Sequence, residues 1–169
     1  MPIDHVKLPI SGSGRTEATT TPRWCSTRTA TTTSAPLFPL GQTLLCLANY
    51  ARRRQGLSPL SLSPVLGVAA AAKAADIDGC GKFEHAACGK SPDQVARDAG
   101  YRGSWGENLY VAEGPFVVPR VAIDQWLNSS GHRRNLFRPE WRTIGIALRP
   151  DVDVERFRDS VVWVNEFGA

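Results

Sequence analysis

No run in this 169-residue sequence approaches the roughly 20 apolar residues that a membrane span needs; the most apolar stretch, 65–75, is built mostly of alanine. The four cysteines contain no C-x-x-C pair, which argues against thioredoxin-like chemistry and most zinc ribbons. H-E-x-x-H is absent, so a zincin mechanism is not indicated. The glycines fall in neither G-x-x-x-x-G-K-[ST] nor G-x-G-x-x-G order, which leaves nucleotide phosphates without a cradle. Ser104, Ser129 and Ser130 lie outside any G-x-S-x-G elbow, so no acyl-transfer triad is evident, and the serines before Gly131 read as a helix terminator. No internal repeat is visible, which excludes solenoids and propellers. Residues 1–14 carry Asp4, His5 and Lys7 with several Gly and Pro and lack the apolar core of a secretory signal. The net charge of +4 comes mainly from Arg52-Arg53-Arg54 and Arg133-Arg134. These are short runs without interleaved aromatics, so they read as solvated helix faces and nucleic acid is not expected as a partner.

What is present is an ordinary globular composition, 42% hydrophobic and 21% charged, long enough for one core and short for two. Residues 16–36 are dominated by threonine with Ser, Arg, Pro and Ala, a composition that cannot offset the entropy of ordering the chain. Residues 1–39 are therefore expected to be a tail or linker, and residues 40–169 the domain. Cys25, Cys46, Cys80 and Cys88 form an even set, for which two disulfides are the leading reading. The rival is a structural zinc site, because Cys80, His85 and Cys88 form C-x4-H-x2-C. Paired cysteines without a visible export signal conflict, and a truncated or misplaced start is the expected reconciliation.

After Pro39, the spacing of Leu44, Leu47, Ala48 and Ala51 predicts a helix that Gly56 terminates. Ser63-Pro64 reads as N-cap and first position of a second helix, closed by Asp78-Gly79. Ser91-Pro92-Asp93-Gln94 reads as a capping box opening a short helix that Gly100 ends. A fourth helix is expected over 119–128. Strands are expected at 109–112, 143–148 and 161–167, with 150–159 as a long loop. Helices early and a small antiparallel sheet late predict a mixed α/β domain in which helices cover the sheet.

The domain holds two histidines, His85 and His132, both in polar surroundings. A lone histidine is more often a structural hydrogen-bonding residue than a ligand. Gly106-Glu107-Asn108 supplies a possible third partner, Gly106 being read as a tight turn. If His85, Glu107 and His132 converge, they form a three-ligand set suited to zinc or a similar ion, with a position left for water. The five tryptophans read mostly as core, with Trp105 able to wall a groove.

Taken in order, these segments resemble the CAP superfamily of cysteine-rich secretory, antigen 5 and pathogenesis-related proteins, especially its bacterial SCP-like extracellular branch. Leu45-Cys46-Leu47-Ala48-Asn49-Tyr50-Ala51-Arg52 is similar to the first-helix pattern, Phe83-Glu84-His85 to the F-x-H segment, and Gly106-Glu107-Asn108-Leu109 to G-E-N-L. The most specific element is the stretch Trp126-Leu127-Asn128-Ser129-Ser130-Gly131-His132-Arg133-Arg134-Asn135-Leu136, similar to W-x-N-S-x-G-H-R-x-N-[IL]. The resemblance implies an α-β-α sandwich with a small, mainly antiparallel sheet. It also implies a central cleft where many members place two His and two Glu that can hold a divalent ion. Three carry over, as His85, Glu107 and His132; where many eukaryotic members have the other Glu, this chain has Ser129. Two disulfides are implied, Cys80 to Cys88 and Cys25 to Cys46.

The expectation that follows is a secreted, monomeric binding module for a small apolar molecule, a wall component or a protein, with zinc or magnesium as possible cofactors. A metal-assisted hydrolase with Glu107 as base ranks below it, and a purely structural cluster is the third alternative.

Overall fold

The computed structural model describes Cys25 and residues 37–169. Most of the expected tail, and the question of its start, lie outside the described residues. The first helix, α1 (Leu37–Arg54), starts just ahead of Pro39, which its first turn tolerates. Leu44, Leu47, Ala48 and Ala51 are all buried, and Gly56 takes the left-handed conformation at φ +70. In α2 (Pro64–Cys80) the Ser63 side chain accepts from the Leu66 N–H at the N-cap. The helix passes the expected stop at Gly79 and ends at Gly81, whose φ of 63 supplies the left-handed cap. α3 (Gln94–Asp98) differs from the predicted capping box: Asp93 occupies the N-cap, makes no side-chain cap bond, and Gln94 bonds Asp98 instead. α4 (Pro119–Asn128) has the predicted bounds. The serines after it do end that helix, but Ser130 opens a new one, α5 (Ser130–Leu136), not anticipated from the sequence.

The four-stranded sheet has the order β1-β3-β4-β2. Its members are β1 (Ser61–Leu62), β2 (Trp105–Ala112), β3 (Thr143–Val154) and β4 (Phe157–Gly168). All pairings are antiparallel except β1 with β3. The expected 150–159 loop is instead strand on both sides of a tight turn, with register shifts between Arg149 and Val154 absorbing the irregularity. β2 also starts earlier than predicted, so Gly106 and Glu107 are strand residues and Gly106 makes no turn. Its lack of a side chain matters for another reason: a Cβ there would lie 2.6 Å from Asn135 Oδ1 and 2.8 Å from Trp141 Cζ2.

Alternation along the strands splits the core into two. Leu109, Val162 and Val164 pack with Ala70, Ala74 and Ile77 of α2 on one face. Ile144, Trp163 and Phe167 pack with Leu44 and Leu47 of α1, Trp126 of α4 and Leu136 of α5 on the other. The result is the expected α-β-α arrangement. Cys25–Cys46 and Cys80–Cys88 are both bonded, so the zinc alternative for Cys80, His85 and Cys88 is not realised. Among the described residues no helix is long and apolar enough to cross a membrane.

Candidate functional site

The sheet register places Glu107 of β2 directly opposite Glu166 of β4, on the face covered by α2. Both carboxyl groups are buried. On α2 the buried stripe runs Leu66, Ala69, Ala70, Lys73, Ala74, Ile77, which carries a lysine into the same layer. Lys73 Nζ donates to the His85 carbonyl at 2.5 Å and lies 3.9 Å from Glu107 Oε2. His85 sits in the short loop after α2 that the Cys80–Cys88 disulfide closes. Its Nδ1 is 2.5 Å from Glu107 Oε1; the imidazole is 42% exposed while the Glu107 side chain is 1% exposed. The ring is thus fixed from behind and open in front.

Within the sheet, the Trp105 indole N–H donates to Glu166 Oε2. That leaves Glu107 Oε2 and Glu166 Oε1 as buried oxygens without a conventional donor. The two directly paired acids interact side chain to side chain, which needs a proton on one of them. Burial pushes the Glu107 carboxyl up to about 7, opposed by the Lys73 charge and by the hydrogen bond from Glu166. Burial, then the charge of Glu107, holds Glu166 well above the ordinary carboxylate range. One ammonium, one carboxylate and one carboxylic acid make the cluster neutral, the arrangement in which buried charge is least costly. Both imidazoles are held below their ordinary value, His85 by burial and then Lys73, His132 by burial and then His85. At neutral pH the mouth of the site is therefore uncharged.

His132 reaches the site through α5. Asn108 Nδ2 donates to the His132 carbonyl at 3.2 Å, and Asn135 Nδ2 bonds the Glu107 carbonyl and Asn108 Oδ1, each at 3.0 Å. Of the three residues expected from sequence, His85 and Glu107 touch, while His132 stands near enough for the charge of His85 to lower its proton affinity. Among the described residues no group of three His, Cys, Asp or Glu lies together as a metal ion requires. The oxygen of Glu107 that His85 leaves open has the Lys73 ammonium beside it. As placed, this donor set does not fit a divalent ion.

Two members of the cluster, Lys73 and Glu166, went unread in the sequence, although each left a signal. Lys73 falls on the helical repeat of α2's apolar positions, where a solvated lysine would not fall. Glu166, with Asn165 beside it, interrupts the apolar run of residues 161–167. Glu166→Gln supplies a test. An acid whose proton affinity is raised by folding makes the fold lose stability as pH rises, here from about 4.5 through about 7 for Glu107 and further for Glu166. The histidines act oppositely, and only below their ordinary 6.5. Glutamine mimics the protonated acid, accepting from Trp105 and donating to Glu107. Melting curves should match wild type near pH 5 and show a more stable variant near pH 8; a wild-type-like decline at high pH would refute the shared proton.

A three-layer domain in which a part-exposed histidine caps a buried cluster of Glu107, Glu166 and Lys73 is what the fold and site define. The chain belongs to the cysteine-rich secretory protein family, CAP, which matches residues 45–167. It is 34% identical over 124 residues to the protein YkwD of Bacillus subtilis (strain 168), covering 70% of this chain and 47% of that one. The chain therefore spans about half the length of that relative. Among solved structures it is similar to an outer surface protein of Borrelia burgdorferi, with a TM-score of 0.62, 19% identity, and coverage of 74% of this chain and 88% of that one. An extracellular SCP-domain protein of Bacillus anthracis gives a TM-score of 0.61 at 20% identity, over 80% of this chain and 45% of that one. A cysteine-rich secretory protein of Staphylococcus aureus gives 0.56 at 20%, over 77% and 38%. At these identities the solved structures establish the fold.

Proposed function

We propose that the protein is an exported recognition module, with the residues ahead of α1 as its tether and His85 and His132 meeting the ligand at the mouth of the Glu107 site. The observation that carries this reading is the half-exposed His85 ring held from behind by a buried carboxyl. Such a ring offers its outer nitrogen in fixed orientation at little entropic cost. Two formed disulfides fit an oxidising compartment.

Nuclear magnetic resonance of the imidazoles tests it, with His5 of the tail as internal reference. Soluble wall fragments, a long-chain fatty acid and a peptide mixture are added in turn. One class should shift His85 and His132 but not His5, and His85→Ala should weaken that binding by about tenfold, or about 1.4 kcal/mol. If no class shifts either ring, recognition at this cleft is wrong. Titrating chelator-treated protein with zinc and magnesium tests the metal-dependent form: one equivalent bound by wild type and lost in His132→Ala would make the cleft a metal centre.

One observation favours a hydrolase as the second reading. Glu107, raised to about 7, lies where a general base works best at neutral pH. Glu107→Gln separates the two, since a base would lose turnover while ligand binding persists.

A further inference from the structure

The first arginine run, read in the sequence as a solvated face, ends α1 against the end of α5, the helix that carries the second run. Arg52, at the end of α1, is fully buried. Its guanidinium donates to the carbonyls of Leu136 at 2.7 Å, Arg138 at 3.1 Å and Trp141 at 3.4 Å. This ties the last turn of α1 to the end of α5 and the segment that follows it. Around the junction, residues 49–60 and 129–143 contribute Arg52, Arg53, Arg54, Arg133, Arg134, Arg138 and Arg142 against a single carboxylate, Glu140. All of these arginines except Arg52 are exposed.

Glu140 pairs with Arg138 at 3.4 Å, and neither Arg54 nor Arg134 has an ion-pair partner among the described residues. Burial, then the charge of Arg142, lowers the proton affinity of Arg52, so positive charges stand close together here. The first 36 residues carry Asp4 and Glu17 against Lys7, Arg15, Arg23 and Arg28, so their sequence adds net positive charge. The acidic residues of the domain gather elsewhere, notably Asp151, Asp153, Glu155 and Asp159 on the β3–β4 hairpin.

We propose that this arginine-rich end of α1 and α5 is a docking surface for an anionic polymer of phosphodiester-linked repeats, separate from the His85 cleft. Guanidinium forks match phosphate oxygens in pairs, and several arginines on one surface can follow successive charges along a chain. Two observations favour a soluble polyol-phosphate chain over other sources of phosphodiesters. Among the described residues the exposed large apolar ones are Leu62, Val65, Val68, Phe116 and Val118, none within these segments, so these segments offer no exposed large apolar side chain to a bilayer. The tryptophan of these segments, Trp141, is buried beneath Arg138, whose guanidinium carbon lies 4.7 Å from the ring centroid, so among the described residues of these segments no exposed indole is available for base stacking.

The test is binding of poly(glycerol phosphate) to the full chain over a range of salt concentrations. Binding should fall steeply with salt, and Arg54→Glu with Arg134→Glu should weaken it at least tenfold and lower the log–log salt slope by about 2. Arg156→Glu on the acidic hairpin, and His85→Ala in the cleft, should each leave affinity within about twofold. Both arginines to be reversed are exposed; if the double reversal does not fold, Arg54→Gln with Arg134→Gln replaces it. Absence of binding at low salt, or an equal loss in Arg156→Glu, overturns the proposal. So does tighter binding to single-stranded DNA, or to phosphatidylglycerol vesicles, than to the polyol-phosphate chain at equal phosphate. Because His85→Ala is carried in parallel, failure of this surface and failure of cleft recognition give different results.

Discussion

Gly145→Ala should be among the most damaging single-methyl changes in the protein. Gly145 lies on β3 beside Glu166, and a Cβ there would fall inside the contact radii of the Leu66 carbonyl group and the Gly67 nitrogen. These are backbone atoms of α2's first turns, so no side-chain rotation relieves the clash and the helix must lift from the sheet. Overpacking against a movable side chain costs about 1–3 kcal/mol, and a clash with backbone belongs at or beyond the top of that range. A loss of about 3 kcal/mol lowers the melting temperature of a domain this size by roughly 6–12 °C. The same lift would carry Lys73 away from Glu107, so the variant should also alter the imidazole resonance of His85. A melting temperature within a degree or two of wild type would show that α2 does not seat on Gly145 as described.

Arg52→Met should be comparably severe for an opposite reason, because it leaves space filled but carbonyls unanswered. Besides the three carbonyls of the α5 junction, Arg52 Nε donates to Ser58 at 2.9 Å. The Leu136 carbonyl closes α5, where a cation also meets the negative end of the helix dipole. Removing a charged donor from buried acceptors costs about 1.5–3 kcal/mol per bond in isolation. Bonds sharing one side chain do not add fully, and a total of about 3–5 kcal/mol is expected. Arg52→Lys keeps the charge but loses the fork, so its denaturant midpoint should fall between wild type and methionine. Lysine equal to arginine would mean that charge alone matters there.

The sequence signals that proved reliable were those resting on local backbone chemistry. Ser63-Pro64 opened α2 and Pro119 opened α4, because a capping hydroxyl and a ring that fixes φ act without regard to the rest of the chain. The alternation of Ile144, Ile146 and Leu148 likewise named the buried face of β3. The misses share a different cause. Ser129-Ser130-Gly131 carried a correct stop signal but gave no sign that a helix would restart at once, since α5 is held by contacts with the rest of the fold: Asn135 bonds Glu107, Leu136 packs in the core, and Arg52 binds the last carbonyl. Gly106 looked like a turn because glycine's two uses, positive φ and close approach, are indistinguishable without the neighbour, here Asn135. The charged residues between 150 and 159 concealed a hairpin because the segment lies at the end of the sheet, where strands need little apolar content.

The candidate site was half legible for the same reason. His85, Glu107 and His132 could be chosen because they are few or sit in polar motifs. Lys73 and Glu166 were hidden by their settings, an alanine-rich helix and an apolar strand, where a single charge is easily read as solvent-facing. Only the register that sets Glu107 against Glu166 shows that these charges answer one another.

The Cys25–Cys46 bridge has a mechanical consequence. Its partner in the domain lies in the middle of α1, so tension applied to the chain ahead of Cys25 enters the fold through that sulfur. The intervening residues carry none of the load, and α1 is pulled sideways against its packed neighbours, which is harder than peeling it from its end. Reducing the bond would move the point of attack to the helix terminus. It would also release the stretch between Cys25 and the start of α1 at Leu37, about 40 Å of contour at full extension, so the redox state of one bond sets both the reach of the chain and the force the domain withstands.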